Sequence, residues 1–333
     1  MIVITGAAGF IGSSMVQHLN ESGRSDLVLV ADFPVMPIEP GYDVPKIAFS
    51  PDVETFHETS LQTMRYIEKV PRDLFFDWLA LNQQKVDFII HLASEIDTLP
   101  DDTSCFHEYI LEFSQRLWSF AAMNRIPLLF AAASTEAKWI WTGQEWIGQE
   151  NGKVALCEQM KRQFDQWVLK QRVTPPLWAG FAMPEVYGPN EERMGDAASS
   201  VYQLFRQWQQ ESRMIIPVYG NSETSDNEPV IDRIFIKDVV TVLIWFMNHL
   251  PASDFYYLGS GYPRPLSAAA KIILSILRQE EKLEFFPLSK EKNKIPNRKI
   301  DLPLNSLRKV GYKKNFTPLE KGIRIFLHEF LKK

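Results

Sequence analysis

At 333 residues, with 45% hydrophobic and 23% charged side chains, the chain has the composition of an ordinary globular protein and the length for one main domain plus a smaller appended one. A formal net charge of −5 excludes a broadly basic nucleic-acid surface. Two cysteines, Cys105 and Cys157, stand far apart and outside any metal-ligand spacing, which excludes a disulfide scaffold or a zinc cluster as the organising device. Cysteine usage of this kind suits a reducing compartment. No apolar run is long enough to span a bilayer, and the first strand begins at residue 2, leaving no room for a signal peptide. The expectation is a cytoplasmic protein with no membrane and no nucleic-acid partner.

In chain order, the β-branched run Ile2 to Ile4 predicts a buried strand. It passes into Gly6, Gly9 and Gly12, followed by an amphipathic helix from about Ser13 to Glu21. Glycine lets a backbone turn this tightly and lets a phosphate reach the main-chain N–H groups of a helix N-terminus. A second strand, Leu27 to Ala31, ends in Asp32, twenty residues past Gly12. A carboxylate there can accept hydrogen bonds from both hydroxyls of an adenosine ribose. The spacing is G-x-x-G-x-x-G rather than G-x-G-x-x-G. With a strand before, a helix after and Asp32 in place, the stretch predicts a dinucleotide site.

Phe33 to Pro45 carries four prolines and predicts a loop, with weak strand signals at Lys46 to Phe49 and Arg65 to Ile67. A helix from Asp73 to Leu81 precedes a buried strand, Val86 to Ile90, that runs into His91-Leu92-Ala93-Ser94. Apolar residues recur at helical spacing from Phe106 to Asn124, and Ile126 to Ala132 is the next strand. Lys138 to Lys153 has three tryptophans, three glycines and no period, so it predicts a surface loop. Helix resumes from about Ala155 to Gln171, with Met160, Phe164, Trp167 and Val168 on one face. A strand from Leu177 to Ala182 then leads to Val186-Tyr187-Gly188-Pro189.

Beyond it come a helix from Ala197 to Glu211, a strand from Met214 to Tyr219 and a polar loop from Gly220 to Pro229. The α/β rhythm resumes with Ile234 to Ile236, a helix from Asp238 to Asn248, and Tyr256 to Leu258 followed by Gly259-Ser260-Gly261. Leu266 to Arg278 predicts a helix, Leu283 to Pro287 a strand and Lys290 to Lys299 a solvated basic loop. Leu304 to Val310 and Pro318 to Leu331 predict the closing helices. Alternating strands and helices imply parallel pairing through right-handed crossovers, an α/β fold.

The glycine triplet, Asp32, His91-Leu92-Ala93, Val186-Tyr187-Gly188-Pro189, Phe235-Ile236-Lys237-Asp238-Val239 and Leu258-Gly259-Ser260-Gly261 occur in that order. The ordered set resembles the extended short-chain dehydrogenase/reductase family, the NAD-dependent nucleotide-sugar epimerases and dehydratases, over essentially the whole chain. Gly180-Phe181, Phe164-Asp-Gln-Trp-Val168, Ile244-Trp-Phe246 and Leu307-Arg-Lys-Val-Gly-Tyr312 resemble one branch of that family most.

The resemblance implies a Rossmann-type doubly wound parallel sheet with a smaller C-terminal α/β substrate domain. The nucleotide domain would be 1–180 plus 231–262, and the substrate domain 181–230 plus 263–333. It implies a ligand cleft at the carboxyl ends of the strands, a nucleotide-sugar ligand, and a homodimer formed by packing Phe106 to Asn124 and Ala155 to Gln171 into a four-helix bundle. Gly6, Gly9, Phe10, Ile11, Gly12, Asp32, Phe33, Ile67, Leu92, Ala93 and Lys161 would hold the cofactor. Asp32 repels a 2′-phosphate and favours NAD, although Lys46 leaves NADP open.

Family members oxidise a sugar carbon with the nicotinamide and return the hydride, using a phenolic base, a lysine and a hydroxyl. The family's Tyr-x-x-x-Lys falls here on Cys157 and Lys161, and no tyrosine lies between Tyr109 and Tyr187. The family's serine falls on Ala133, with Ser134 and Thr135 immediately after. The candidate catalytic set is therefore Lys161, Cys157, Ser134 and Thr135. A thiol ionises more easily than a phenol but is several ångströms shorter in reach, and a buried free cysteine commonly acts as a small hydrophobe.

The family's substrate-facing asparagine reads Glu185, its Arg-Asp reads Ile231-Asp232 with Arg233 one place later, and Arg193 neighbours the position of a second lysine. Glu185, Arg193 and Arg233 are the candidate substrate-binding residues. Two functions follow: a nucleotide-sugar epimerase (an isomerase) with altered acid–base groups, or a non-catalytic subunit or sensor that binds NAD(P) or a nucleotide sugar.

Overall fold

The computed structural model describes residues 1–31, 61–92, 103–134, 139–141, 146–148, 153–218, 228–287 and 305–332. Its strands are β1 (Ile2–Thr5), β2 (Leu27–Ala31), β3 (Glu68–Pro71), β4 (Phe88–His91), β5 (Leu128–Ala132), β6 (Trp139–Trp141), β7 (Trp146–Gly148), β8 (Trp178–Ala182), β9 (Glu185–Tyr187), β10 (Met214–Val218), β11 (Val230–Ile231), β12 (Arg233–Phe235), β13 (Asp254–Tyr257), β14 (Arg264–Pro265) and β15 (Leu283–Pro287). The helices are α1 (Phe10–Glu21), α2 (Phe75–Asn82), α3 (Thr103–Phe106), α4 (Phe113–Met123), α5 (Lys153–Val168), α6 (Ser200–Glu211), α7 (Ile236–His249), α8 (Leu266–Leu277), α9 (Ser306–Lys309) and α10 (Leu319–Phe330).

Seven strands form one sheet in the order β13-β8-β5-β4-β1-β2-β3. The strand β1 pairs in parallel with β2 on one side (Ile2 opposite Leu27) and with β4 on the other (Ile2 opposite Phe88). All residues of β1, β2 and β4 are buried, as a parallel sheet covered on both faces requires. The chain runs outward from β1 through β2 to β3 and returns on the far side of β1 as β4. Strand order thus reverses between β1 and β4, the topological switch point of a doubly wound sheet.

The chain divides into two compact units: Met1–Ala131 with Leu156–Gly180 and Met247–Asp254, and Ala132–Ala155 with Phe181–Phe246 and Phe255–Lys333. In the first, Trp118 is 1% exposed and meets Phe130, Phe164, Trp167 and Trp178 at ring-centroid distances of 6.2, 6.4, 6.4 and 5.4 Å. Edge-on aromatic contacts at such distances pin α4 and α5 to β5 and β8. In the second unit Phe205 of α6 packs on Phe326 and Phe330 of α10 at 5.9 and 5.1 Å.

The long periodic segments lie where expected, and the differences are local. The segment 139–148 contains an antiparallel pair, β6 with β7, in which Trp141 faces Trp146 in register. Strands of three residues each leave no helical or long-strand period for a sequence reading to detect. The helix expected from Phe106 is interrupted by a π-helical turn, His107–Glu112, which inserts one residue per turn without disturbing the apolar spacing by much. Lys46 to Phe49 and the basic stretch Lys290 to Lys299 lie outside the described residues. Among the described residues no helix is long and apolar enough to cross a membrane.

Candidate functional site

At the carboxyl end of β1 the chain enters the glycine turn. Gly6 takes a φ of +68°, a left-handed conformation that favours glycine. A Cβ on Gly12 would lie 2.0 Å from the Gly6 carbonyl oxygen and 2.8 Å from the Ala7 Cα, so α1 starts this close to the strand only because residue 12 has no side chain. Gly9 caps α1 without a side-chain acceptor, and the first turn carries no acidic residue. At this end the Ser13 N–H donates to the Gly9 carbonyl at 2.8 Å. The N–H groups of Phe10, Ile11 and Gly12 precede it and have no intrahelical acceptor. A glycine-bounded helix start whose first N–H groups lack intrahelical acceptors, with no competing carboxylate, fits a pyrophosphate.

Beside this turn, at the switch point, lies a buried polar relay. The Thr5 Oγ1 and His91 Nδ1 atoms are 2.6 Å apart, and His91 Nε2 is 2.9 Å from Ser114 Oγ. The Ser114 hydroxyl donates to the Ile110 carbonyl, so it accepts from His91. That assigns the imidazole proton to Nε2 and leaves Nδ1 to accept from Thr5. Burial and the nearby Lys161 charge push the His91 pKa down to about 3, which keeps the ring neutral. The Leu92 N–H donates to the Thr5 carbonyl at 3.1 Å, which holds Leu92 at the same edge.

Helix α5 brings Cys157 and Lys161 to one face, one turn apart. Lys161 Nζ is 3.3 Å from Glu158 Oε1, and each side chain keeps 13% of its exposure. Burial opposes the ammonium charge, but Glu158, Cys157 and Asp165 together outweigh it, and the Lys161 pKa is raised. Cys157 is fully buried, at 0% exposure.

The remaining nucleotide-side residues divide. Asp32, Phe33, Lys46, Ala93 and Thr135 lie outside the described residues. Ser134, just past β5, is 8% exposed and belongs to the second unit. Ile67 is a correction. Its N–H donates to the Leu27 carbonyl, and Glu68 pairs with Val28, so Ile67 stands at the amino edge of the sheet, opposite the glycine turn. The parallel register gives the carboxyl edge of β3 to Pro71 and the turn Arg72-Asp73-Leu74 instead. A strand of four residues carries too little pattern to place its ends by sequence, and the expected strand was three residues early.

In the second unit, Asp232 and Arg233 stand next to each other at the start of β12 and have different partners. The Arg233 side chain is 1% exposed, and its Nε donates to Glu185 Oε2 at 2.9 Å and to Ser200 Oγ at 3.1 Å. Glu185 also accepts from the Ser200 N–H at 2.8 Å and the Ser200 hydroxyl at 2.6 Å, in the first turn of α6. The carboxylate is thus neutralised by a guanidinium and a helix N-terminus. Arg233 Nη2 is buried with no hydrogen-bond partner. Asp232 accepts from the Tyr257 hydroxyl (2.7 Å), the Ser260 N–H and hydroxyl, and the Gly261 N–H (2.8 Å), and so holds the turn after β13.

Glu191, 0% exposed, accepts from the N–H groups of Gly188 and Ser199, and burial raises its pKa to about 8. Sequence reasoning met Asp232 only as the second residue of the family's Arg-Asp and passed over Glu191. Asp232 stands between Ile231 and Arg233 and Glu191 between Asn190 and Glu192, contexts that give no hint of their donors. Arg193 lies in the 3₁₀ segment Glu191–Ala197. Among the described residues no group of three metal-ligating side chains occurs.

A doubly wound sheet with a glycine turn at its switch point defines a Rossmann-type dinucleotide-binding protein. The chain belongs to the NAD dependent epimerase/dehydratase family, whose model matches residues 2–259. It is 25% identical to an ADP-L-glycero-D-manno-heptose-6-epimerase from Fusobacterium nucleatum, over 100% of this chain and 98% of that protein. A protein of the same name from Alkalilimnicola ehrlichii is also 25% identical, over 98% and 96% of the two chains. Among solved structures, the Helicobacter pylori ADP-L-glycero-D-manno-heptose-6-epimerase superposes with a TM-score of 0.70 at 20% identity, covering 99% of this chain and 96% of its own. The UDP-N-acetylglucosamine 4-epimerase from Methanobrevibacter ruminantium also reaches 0.70, at 15% identity and 99% and 98% coverage.

Proposed function

We propose that this chain is an NAD-binding protein of the nucleotide-sugar epimerase type, similar to ADP-heptose 6-epimerases, that takes up a dinucleotide without epimerising ADP-heptose by the family's route. In this reading the donors of Phe10, Ile11 and Gly12 face the pyrophosphate, Asp32 accepts from the adenosine ribose, and Lys161 donates to a hydroxyl of the second ribose. When bound, the dinucleotide supplies a reversible hydride acceptor.

The observation that carries the reading is Cys157. It stands four residues before Lys161, where the family resemblance implies a phenol, and has no exposed surface. A proton acceptor must come within about 2.6–3.2 Å of the proton it takes, or one water away, and a side chain with no exposed atom does not meet a sugar hydroxyl. Lys161 pairs with Glu158 at 3.3 Å and keeps donors for a ribose hydroxyl, but it has no phenol beside it to assist. The candidate sugar-side groups Glu185 and Arg233 pair with each other through Arg233 Nε, although Arg233 Nη2 is left without a partner. The reading therefore favours a binding or sensing member of the family, with Ser134 and Thr135 as local hydroxyls and Arg193 as the remaining candidate for an anionic sugar nucleotide. Placement in the cytoplasm and a homodimer through α4 and α5 belong to the same proposal, the dimer checked by light scattering on the purified protein.

The test is a pair of measurements on the full chain. Titration calorimetry should show uptake of NAD, with NADP bound more weakly because Asp32 opposes a 2′-phosphate. Incubation with ADP-heptose should give no epimer and no deuterium exchange between sugar and cofactor. Cys157→Tyr alone should restore neither, since a fully buried position does not admit the larger ring and Glu185 still differs. Epimer formation by the unaltered chain sinks the non-catalytic reading. Failure to bind any adenine dinucleotide sinks the whole proposal.

A further inference from the structure

Three donors converge on the Glu185 carboxylate where β9, β12 and α6 meet. Glu185 and Arg233 are register partners in the parallel pair β9–β12. Ser200 is the first residue of α6, so its N–H has no intrahelical acceptor. That N–H donates to Glu185 Oε1 at 2.8 Å. Glu185 Oε2 accepts from the Ser200 hydroxyl at 2.6 Å and from Arg233 Nε at 2.9 Å, and Nε also reaches Ser200 Oγ at 3.1 Å. A helix-start N–H, a hydroxyl and a guanidinium are the groups with which proteins hold oxyanions.

The carboxylate does not use every donor. Arg233 Nη1 donates to the Arg264 carbonyl at 3.2 Å, whereas Nη2 is buried with no hydrogen-bond partner. The side chain that carries it is 1% exposed. A guanidinium offers its donors as a planar fork that matches two oxygens of one anion. Glu185 has two oxygens in all, one turned to the Ser200 N–H and the other to Nε and the hydroxyl, so Nη2 is left over. A tetrahedral oxyanion in the same place brings a third oxygen to meet it. The other carboxylate at this helix start, Glu191, accepts from the Ser199 N–H at 2.9 Å. Burial raises its pKa to about 8, so it holds a proton at neutral pH and does not repel an anion. Glu185 keeps 15% exposure, and it therefore closes the side of this donor set that solvent reaches.

We propose that Glu185 is a specificity residue, a resident carboxylate that fills an oxyanion site made by the start of α6 and Arg233 and shuts it to phosphate-bearing ligands. A ligand that meets Glu185 does so through an uncharged group, such as a hydroxyl, and carries its phosphates elsewhere. The inference rests on the reading above for a ligand on the sugar side and adds to it the charge that this side accepts. It makes no use of the glycine turn.

The experiment follows urea midpoints of the full chain and its variants at neutral pH as inorganic phosphate is added through the millimolar range, with sodium chloride at matched ionic strength as the reference. E185A is less stable than the unaltered chain in chloride and regains midpoint as phosphate is added, because a ligand that binds only the folded state stabilises it by mass action. Calorimetry then gives the unaltered chain a phosphate affinity at least about tenfold below that of E185A, since its own carboxylate holds the donors and repels the ion. Adding R233M to E185A removes the recovery. A merely structural ion pair leaves E185A destabilised and unmoved by phosphate, and that result overturns the inference. Equal phosphate affinity in E185A and the unaltered chain overturns it too. Where E185A fails to fold, E185N, shorter and uncharged, carries the same comparison. NAD uptake by the unaltered chain is a separate readout: its failure overturns the binding reading and leaves the phosphate comparison as it stands.

Discussion

At the carboxyl edge of the first unit, the N–H groups of Phe10, Ile11 and Gly12 stand without intrahelical acceptors and no acid occupies the first turn of α1. In the second unit three buried charges find partners within the unit, although Arg233 Nη2 is left over. Arg233 meets Glu185 and Ser200, Asp232 meets Tyr257, Ser260 and Gly261, and Glu191 meets Gly188 and Ser199. The difference teaches how to tell a ligand site from a structural knot. Donors at a helix start that the fold leaves over invite an anion, whereas buried charges paired within the chain are costly to break and leave less for a ligand.

The largest expected effects break the two regions one at a time. Gly12→Val drives a Cβ into the Gly6 carbonyl. It should abolish NAD uptake in calorimetry and cost about 3 kcal/mol in urea unfolding through overpacking. Uptake retained would show that the turn is architecture only. Glu185→Ala strands a guanidinium that is 1% exposed. It should cost about 3 kcal/mol, the lower end for a broken buried pair, because Glu185 itself keeps 15% exposure. NAD affinity should not move.

Titration sharpens the contrast, because the two units carry buried groups shifted in opposite senses. His91 has its folded pKa lowered to about 3 from 6.5. The unfolded chain binds more protons in that window, so the His91 contribution is present above pH 6.5 and is lost as pH falls toward 3. Glu191 has its folded pKa raised from 4.5 to about 8. Its contribution is present below pH 4.5 and is lost as pH rises through 8. Urea midpoints measured from pH 5 to 9 should fall less steeply on the alkaline side in Glu191→Gln than in the unaltered chain. His91→Asn should flatten the acid side instead. Identical profiles for Glu191→Gln and the unaltered chain would remove Glu191 from this account.

The smallest effect concerns Tyr187, whose hydroxyl is buried without a hydrogen-bond partner. Tyr187→Phe removes an unsatisfied polar atom and should stabilise by up to about 1 kcal/mol, read as a small rise in the urea midpoint. A loss of more than that would reveal a partner for the hydroxyl.

Legibility in the sequence followed the range of the interactions involved. The glycine turn and His91-Leu92 could be read because a strand, a turn and a helix written within a few dozen residues obey local rules. The helix from Ala155 could be read from its apolar face. Ile67 was misplaced because β3 has four residues and owes its position to pairing with β2 rather than to its own pattern. The pair β6–β7 and the π-helical turn at 107–112 were invisible for the same reason: each is settled by partners rather than by period. Glu185 could be read as a carboxylate where an asparagine was expected, but not that Arg233, 48 residues on, would neutralise it.

By itself the sequence determined the α/β class, the family, the glycine cradle and the presence of Cys157 four residues before Lys161, because these depend on residue type and short spacing. Only the tertiary structure decided that Cys157 is sealed, that Lys161 is paired with Glu158, and that Glu185 and Arg233 answer each other. Burial and charge pairing are set by what the fold brings alongside a residue, and the one-dimensional order of the chain does not carry that information.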